Sequence, residues 1–297
     1  MSFRIAHFSD IHLTARPLRL GAFDWFGKRA TGWLNARLGR GKHFLDSSTV
    51  AAALAKELRT RGYDHVVFSG DATTLGLRVE YDEVRRVLQP DDGWPPAIAV
   101  PGNHDYYTFA AVRTGEFERV FARWQLGERI GGHTYPFVQK AGPLWLIAVN
   151  SAGANLAFWD SRGRVGSAQL HRLSELFKRL PPGPRVIVTH YPLCLESGAP
   201  EKLWRRLRDA KRLLDLAEAA DVRIWLHGHR HVHYHRPVDE SLPFPVVCAG
   251  SATQALRWSY NEYTFADGAM HGRRRVWSPE AAGFVDGAEF AVPFKLE

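Results

Sequence analysis

Short apolar runs alternate with longer amphipathic segments along the first third of the chain. The runs over residues 3–9, 64–69 and 97–100 are apolar and turn residues follow each one, which predicts three buried strands. Between them, residues 46–61 and 79–88 have apolar positions at helical spacing, and residues 46–48 (Asp-Ser-Ser) can cap the first helix. Strands that alternate with helices predict an α/β fold with its sheet at the centre.

The same alternation continues in the rest of the chain. We predict strands over 144–150, 185–189, 223–226 and 246–249 and a helix over 167–180. An amphipathic helix is predicted over 203–219, where the residues at helical spacing are Leu203, Leu207, Ala210, Leu214 and Ala217. The C-terminal region, roughly the last fifty residues, is interpreted as short strands and turns. Residues 1–297 contain no repeat or low-complexity tract and are interpreted as one domain.

Residues 16–44 interrupt this rhythm between the first strand and the first helix. The aromatic residues of the segment are Phe23, Trp25, Phe26, Trp33 and Phe44, and its basic residues are Arg16, Arg19, Lys28, Arg29, Arg37, Arg40 and Lys42. We interpret the segment as an insertion rather than as part of the core.

Composition limits the class of protein and its location. The chain has 297 residues, of which 45% are hydrophobic, so it can bury a large core. Its net charge of +8 favours anionic partners such as nucleotides, nucleic acid or acidic lipid headgroups, and a basic surface without such a partner is an equal alternative. Cys194 and Cys248 are too few for a disulfide framework, and we find no signal peptide or long apolar run, so we expect a cytoplasmic protein.

Side chains that can bind metals follow five of the predicted strands. They are Asp10 and His12; Asp71; Asn103, His104 and Asp105; His190; and His229 and His231. Because ligands bind at the carboxyl ends of strands in an open α/β sheet, we expect these side chains to lie together. Carboxylate, amide and imidazole groups suit Mn, Fe or Zn, and no cysteine belongs to the set. One Asp-x-His motif means little alone, but five motifs at five strand ends predict a metal site.

In this order the motifs D-x-H, G-D, G-N-H-D, H and G-H-x-H resemble those of the calcineurin-like metallophosphoesterase superfamily. The resemblance covers residues 5–231 and implies a four-layer αββα sandwich. It also implies two metal ions, one held by Asp10, His12, Asp71 and His231 and the other by Asp71, Asn103, His190 and His229. Asp71 would bridge the two ions. His104 matches the position that stabilises the transition state or protonates the leaving group, and Asp105 would orient His104.

The resemblance further implies hydrolysis of a phosphoester by a hydroxide that two metal ions generate from water. One departure is Thr74, three positions after Asp71, where many relatives have an acidic residue; we interpret it as a change behind the ligands. Arg230 lies between two predicted ligands, and contact with phosphate and exposure to solvent are equal alternatives for it.

The motifs define the chemistry and leave the substrate open. The first interpretation is a phosphodiesterase, similar in motif style to the class III cyclic nucleotide phosphodiesterases. The second is a phosphoesterase or pyrophosphatase for an amphiphilic, lipid-linked substrate, similar to the UDP-2,3-diacylglucosamine pyrophosphatases. The third is a binding scaffold without catalysis, similar to the retromer subunit with this fold, but a scaffold does not need His104 beside a full ligand set. No nucleic-acid module is visible, so nucleic acid is not an expected substrate.

The segment 16–44 bears on this choice, because it leaves the chain directly after Asp10 and His12. We expect it to form a cap beside the site and to contact an apolar substrate or an anionic membrane surface. The alternative is that its aromatic residues pack onto the sandwich while its charges stay in solvent.

Overall fold

Two β-sheets packed face to face form the centre of the computed structural model, which describes residues 3–15, 18, 20–266 and 268–294. The strands of the described residues are β1 (Phe3–Phe8), β2 (His65–Phe68), β3 (Ala97–Ala99), β4 (Glu128–Arg129), β5 (Phe137–Ala141), β6 (Leu144–Ala148), β7 (Arg185–Val188), β8 (Val222–His227), β9 (His233–Arg236), β10 (Val246–Ala249), β11 (Ser259–Ala266), β12 (Ala269–Ser278) and β13 (Gly283–Pro293). The helices are α1 (Lys28–Leu38), α2 (Ser47–Thr60), α3 (Arg78–Leu88), α4 (Phe109–Thr114), α5 (Glu116–Val120), α6 (Ser167–Arg179) and α7 (Ala210–Ala219), and short 3-10 helices cover Ala22–Phe26, Arg40–Phe44 and Ala122–Gln125. In the described part of the chain, every helix is too short or too polar to cross a membrane.

Both sheets mix parallel and antiparallel strands. The first has the order β13-β12-β11-β1-β2-β3, and the second has the order β4-β5-β6-β7-β8-β10-β9. Strands β1, β2 and β3 are parallel, with Ile5 opposite His65 and Val67 opposite Ile98. Strands β6, β7, β8 and β10 are likewise parallel to one another. The carboxyl ends of the parallel strands therefore share one edge in each sheet, and the loops with the motifs leave from there.

Apolar side chains at alternate positions divide between two kinds of core. Ile5, Val67 and Val188 belong to the cluster between the two sheets. Phe8 and Ile187 instead belong to the cluster that includes the buried faces of helices α2, α3, α6 and α7. This division follows from the two-residue period of a strand. It confirms the predicted α/β sandwich of four αββα layers.

Most predicted elements are found with bounds shifted by one or two residues, but the helix predicted over 203–219 is wrong in its first half. Helix α7 begins only at Ala210. Before it, Leu207 forms a bridge with Gly163, and the Asp209 carboxylate accepts hydrogen bonds from two backbone nitrogens of the neighbouring loop (2.9 and 2.7 Å). These tertiary contacts hold the residues before the helix in a non-helical backbone, and helical periodicity alone cannot reveal them.

The C-terminal region also differs from the prediction of short strands and turns. Strands β11, β12 and β13 are 8, 10 and 11 residues long and lie side by side in the first sheet. Much of β12 and β13 is exposed or half-buried, so these strands lack the apolar pattern that marks a buried strand. Their backbone pairing to neighbouring strands holds them in place.

The segment 16–44 contains a helix, α1, that the sequence pattern does not predict. A small separate core joins the segment to the rest of the molecule, where Leu18, Leu20 and Trp33 pack against Leu75, Leu77 and Tyr107. Among the residues named for this segment above, Arg16, Arg19 and the side chains of Phe23 and Arg40 lie outside the described part of the structure. That the segment is an insertion stays a prediction.

His65 on β2 is buried away from the strand ends that carry the motifs. It is 2% exposed, and among the described residues its Nε2 has no hydrogen-bond partner. Burial lowers the pKa of His65 from 6.5 to about 4. Because the folded pKa is the lower one, the unfolded state binds more protons between these two pH values, and the free energy of unfolding falls as the pH falls through them.

We predict that a change from pH 7 to pH 5 removes about 2 kcal/mol of stability through His65 alone. Urea unfolding of the metal-free protein at both pH values measures this effect, and His65→Leu should reduce it by that amount. The other buried histidines are present in both proteins, so the difference between them isolates His65. An equal pH effect in the two proteins would contradict this assignment.

Candidate metal centre

The loops after three strands bring Asp10, His12, Asp71 and His231 into one buried cluster. One ligand atom from each residue lies within 4.8 Å of the others. Nε2 of His231 is 3.1 Å from Oδ1 of Asp10 and 3.1 Å from Nε2 of His12. Nε2 of His12 is in turn 3.6 Å from Oδ2 of Asp71. Donor atoms have such separations when each lies about 2 Å from a shared ion.

A second group adjoins the first and consists of Asn103, His190 and His229 beside Asp71. Oδ1 of Asn103 lies 3.2 Å from Nε2 of His190 and 2.9 Å from Nδ1 of His229. Nε2 of His190 is also 3.3 Å from Oδ2 of Asp71. All the predicted ligands thus fall into two groups, and Oδ2 of Asp71 is close to both. Their role as ligands stays a prediction.

Oxygen atoms behind the cluster fix the orientation of three imidazole rings. The pairs are Nδ1 of His12 with the Thr73 carbonyl at 3.1 Å, Nδ1 of His190 with the Ser69 carbonyl at 2.8 Å, and Nδ1 of His231 with Oε1 of Gln254 at 2.6 Å. Carbonyl and amide oxygens only accept hydrogen bonds, so each Nδ1 carries a proton. The Nε2 atoms of the three rings therefore face the cluster, where a metal ion can bind them once they carry no proton.

This arrangement fits cations. Nε2 of His12 and Nε2 of His231 face each other at 3.1 Å beside the Asp10 carboxylate. Where both rings carry their proton on Nδ1 only, a positive charge between the two Nε2 atoms offsets the repulsion of their lone pairs. Nε2 of His229 is buried and has no hydrogen-bond partner within the described residues. A buried set of oxygen and imidazole donors with its protons turned away suits divalent ions of the Mn, Fe or Zn type.

The charges of the cluster agree with this view. Burial raises the pKa of the Asp71 carboxyl, but His190 and His104 outweigh it and hold that pKa below its ordinary value. Burial likewise raises the pKa of Asp10, and the imidazoles of His231 and His12 lower it well below its ordinary value. Burial lowers the pKa of His190, whereas Asp71 raises it to about 9. Both carboxylates are therefore ionised, and an ion that binds His190 has to displace a proton.

Five of the predicted ligands have a left-handed backbone. Their φ angles are 53° at Asp10, 41° at His12, 61° at Asp71, 70° at His229 and 58° at His231. Among the described residues, these five belong to a set of nine non-glycine residues with positive φ, so more than half of this strain lies in one place. Each such residue costs on the order of 1–3 kcal/mol, and such strain collects where side-chain positions matter for function.

The glycines of two motifs leave room for the carboxylates. A Cβ atom on Gly102 would lie 2.0 Å from Oδ1 of Asp71, and one on Gly228 would lie 2.6 Å from Oδ2 of Asp10. Both distances are far shorter than a van der Waals contact, so a larger residue would displace the carboxylate. The close approach of the Asp71 and Asp10 carboxylates therefore explains why glycine stands at the first position of G-N-H-D and of G-H-x-H.

His104 lies beside the cluster. Its ring makes an edge contact with the ring of His12 at 4.7 Å and stacks on Tyr107 at 5.6 Å between centroids. Nδ1 of His104 is 2.6 Å from the carbonyl oxygen of Thr74, the residue at which the sequence departs from its relatives. The backbone nitrogen of His104 donates to Oδ1 of Asp71. The ring is thus held at the edge of the cluster, and its catalytic role stays a prediction.

Asp105 binds the backbone of both ligand loops. Its carboxylate accepts hydrogen bonds of 2.8–3.1 Å from the backbone nitrogens of Asp71, Ala72, Thr73 and Gly102. It therefore positions His104 through the loop, while the Thr74 carbonyl orients the ring itself. The resemblance implies that Asp105 orients His104, and this role stays a prediction.

Residues after β10 support the first ligand loop, and the sequence patterns do not single them out. Oγ of Ser251 donates to the Asp10 carbonyl (2.7 Å), and Oγ1 of Thr253 donates to the Ile11 carbonyl (2.5 Å). Gln254 holds the ring of His231 as described above. The one available signal is that these polar residues follow a predicted strand directly, as the metal-binding motifs follow theirs.

Arg230, for which two alternatives were open, forms an ion pair with the buried carboxylate of Glu201. The Arg230 side chain is 27% exposed. This ion pair anchors the loop between His229 and His231 from outside the cluster.

The chain matches the family model of the calcineurin-like phosphoesterases over residues 3–233. It therefore belongs to the calcineurin-like phosphoesterase family, as the motifs predict. Among curated proteins, no match to the sequence is found.

Several solved structures share the fold at low sequence identity. A dimetal phosphatase from Danio rerio has a TM-score of 0.65 at 12% identity over 99% of both chains. The purple acid phosphatase PPD1 from yellow lupin (Lupinus luteus) seeds has a TM-score of 0.62 at 14% identity over 99% of this chain and 54% of that chain, so the protein spans about half of the lupin enzyme. A putative 5′-nucleotidase from Staphylococcus aureus has a TM-score of 0.50 at 13% identity, with 99% and 54% covered. At such identities the likeness shows the fold alone.

Family membership and the cluster together define the class of enzyme. The chain is a metallophosphoesterase, a hydrolase of phosphoric esters, by its family. Its buried Asp and His cluster indicates a dinuclear metal centre.

We predict that protein reconstituted with Mn, Fe or Zn holds about two ions per chain, the content of a two-metal site. His229→Ala removes a predicted ligand from the second group only, so about one ion should remain. Asp71→Ala removes the carboxylate predicted to be shared, so both positions should lose their ions. Elemental analysis after gel filtration measures the content. The control His235→Gln changes a nearby imidazole outside both groups and should retain about two ions. Full occupancy in Asp71→Ala would refute the shared carboxylate.

A second prediction concerns His104. Because its ring is held at the edge of the cluster rather than within either group, His104→Ala should keep the metal content. It should lower kcat by roughly 10²-fold or more, the usual effect of losing a general acid or base. Steady-state kinetics on a metal-loaded sample of measured content tests this. Normal turnover with both ions present would remove His104 from the chemistry.

Proposed function

We propose that this phosphoesterase hydrolyses an amphiphilic phosphoester or pyrophosphate and binds the apolar part of its substrate in a cavity beside the metal centre. One observation carries the proposal: the lining of a cavity of about 470 Å³ includes His12 and His104. Pockets for small ligands commonly have this size. Much of the remaining wall is aromatic or aliphatic, formed by Leu18, Trp33, Ala36, Phe44, Leu45, Leu75 and Tyr107.

The position of the cavity supports an apolar substituent on the substrate. His12 is a predicted ligand and His104 a predicted proton donor, so a substrate with its phosphorus at the cluster would extend one substituent along these two rings into the cavity. Each methylene that leaves water there favours binding by about 0.8 kcal/mol. A compact, polar substrate such as a cyclic nucleotide gains little from these walls.

The segment 16–44, which we propose to be a cap, is anchored beside this cavity through its described residues. Arg29 donates to the carbonyl oxygens of Leu75 and Gly76 (3.2 and 2.7 Å). Gly32 allows α1 to approach closely, because a Cβ atom there would lie 2.4 Å from the Tyr107 hydroxyl. A glycine within a helix costs about 1 kcal/mol relative to alanine. The close approach of α1 to the site wall offsets this cost.

The proposed chemistry divides between ions and side chains. Two divalent cations, which we propose are Mn, Fe or Zn, would supply positive charge to the phosphoryl oxygens and lower the pKa of a bound water. Asp71 would hold both ions at a fixed separation. His104 would donate a proton to the leaving oxygen as its bond to phosphorus breaks, or stabilise the charge that develops there. The cavity would hold the apolar substituent and exclude water from it.

A soluble phosphodiester, the first interpretation from the motifs, is the alternative. Its support is the order of the motifs, and this order defines the chemistry rather than the substrate. The cavity walls favour the amphiphilic substrate.

We predict that kcat/KM rises with chain length across a series of alkyl p-nitrophenyl phosphates, studied below their micelle concentrations. The expected rise is about fourfold per methylene until the cavity is full, which is the rate equivalent of burying one methylene. Release of p-nitrophenolate from metal-loaded protein measures it. A flat series together with preferred hydrolysis of a cyclic nucleotide would establish the soluble-diester alternative.

Two variants on α1 make this test specific. Ala36→Phe fills part of the cavity and should flatten the dependence on chain length. Thr31→Phe adds the same ring at an exposed position of the same helix and should leave the dependence as in the unmodified protein. If kcat/KM rises equally with alkyl length in both variants, the alkyl group of the substrate binds outside the cavity.

A further inference from the structure

The exposed apolar side chains of this protein are concentrated around the cap and the mouth of the cavity. Of eighteen exposed large hydrophobic residues in the described chain, eleven lie in four segments: residues 25–45, 156–159, 203–204 and 256. Five of the six exposed aromatic residues are among them. The extremes are Phe26 at 92% exposed and Leu256 at 89%. We call these four segments the rim, and we infer that the rim is a docking face for an anionic membrane surface.

The four segments are neighbours in space. Nζ of Lys28 in the cap donates to the carbonyl oxygen of Asp160, which follows the second segment (2.9 Å). The backbone nitrogen of Ser161 donates to the carbonyl oxygen of Trp204 in the third (2.9 Å). The backbone nitrogen of Ala255, next to the fourth, donates to the carbonyl oxygen of His43 (2.7 Å). The rim is therefore one connected surface.

The exposed rings of the rim are partly ordered by one another. Trp25 makes an edge contact with Trp33 at 5.0 Å, and Phe158 makes one with Trp159 at 4.7 Å. Phe158 and Trp159 are nevertheless 61% and 63% exposed. A connected, exposed apolar patch of this kind marks a site that binds a protein or a membrane.

Basic residues lie between the apolar ones. Arg37, Lys42, Lys202 and Arg206 are exposed within or next to the rim. Three acidic residues beside them form ion pairs: Asp24 with Arg29, Asp160 with Arg162 and Arg208, and Glu201 with Arg230. Scattered apolar tips with cations between them are complementary to an interface of acidic headgroups and acyl chains.

This pattern favours a membrane over a protein partner. Protein partners bind through a central apolar patch from which charges are depleted, whereas the rim intersperses its charges with its apolar tips. Tryptophan, at positions 25, 159 and 204, is typical of membrane interfaces. The mouth of the cavity opens beside the rim, and Leu45 belongs to both. Only this last argument rests on the proposed function, since it lets an amphiphilic substrate pass from the membrane into the cavity.

Vesicle flotation of the full chain tests the inference without any substrate. The protein should bind vesicles of phosphatidylcholine and phosphatidylglycerol at low salt, and it should bind phosphatidylcholine alone more weakly. The double variant Phe26→Ser, Phe158→Ser should bind at least about tenfold more weakly, because two rings no longer enter the apolar phase. The double variant Lys202→Glu, Arg206→Glu should lose the preference for anionic vesicles, and salt should have less effect on it.

Two controls separate docking from misfolding and from catalysis. Leu126→Ser replaces an exposed leucine outside the rim and should bind vesicles as the unmodified protein does. Hydrolysis of a small soluble ester, p-nitrophenyl phosphate, should be unchanged in the Phe26→Ser, Phe158→Ser variant. If the protein ignores anionic vesicles, or if this variant binds them normally, the inference is overturned.

The experiments also distinguish membrane docking from self-association of the protein and from binding of an amphiphilic substrate. A concentration-dependent dimer that the Phe26→Ser, Phe158→Ser variant abolishes, without vesicle binding, would make the rim an interface between two copies of the chain and overturn membrane docking. Vesicle binding combined with a flat alkyl series would support the docking face and reject the amphiphilic substrate.

Discussion

The site depends on hydrogen bonds that hold the Nδ1 protons of three histidines away from its centre. Oxygens behind the cluster accept from Nδ1 of His12, His190 and His231. Two of these acceptors, the carbonyls of Ser69 and Thr73, belong to the loop that contains Asp71. The backbone path of one loop therefore determines both the shared carboxylate and the tautomer of two rings. A ring rotated to point its N–H inward would replace a lone pair by a positive dipole and remove a donor from the cluster.

Sheet packing makes this loop geometry possible. Five ligand residues have a strained, left-handed backbone, which together costs on the order of 5–15 kcal/mol at 1–3 kcal/mol each. Each fully buried aliphatic or aromatic side chain contributes roughly 1.5–3 kcal/mol, and the two-sheet core provides many, including Ile5, Val67 and Val188. The strained residues sit directly after strands that this core fixes in place. The structure can therefore hold a conformation at the strand ends that an isolated loop would leave.

The local pattern of a buried strand followed by Asp or His was enough to predict an α/β fold and which side chains meet at the strand ends, and the resemblance of the ordered motifs to a known family implied the four-layer sandwich. What sequence could not supply depends on distant partners. Gln254 orients His231 across 23 positions of the chain. Leu207 and Asp209 bind a loop about forty residues earlier, so a helix that periodicity predicts begins late. Strand β13 is mostly exposed and is held by its pairing to β12, which no apolar pattern records.

In the cap, some aromatic residues pack onto the rest of the chain and others do not. The packing alternative holds for part of it, since Phe44 is buried and Trp33 is half-buried against the small third core. It fails for Trp25 and Phe26, which are 51% and 92% exposed. Polar anchors, chiefly Arg29 on the carbonyls of Leu75 and Gly76, hold the cap without these rings. Because neither the main core nor the attachment of the cap needs the exposed rings, these rings are available for the membrane contact that we propose. In this proposal the same segment uses apolar side chains twice, in the wall of the cavity for the substrate and at the surface for the membrane.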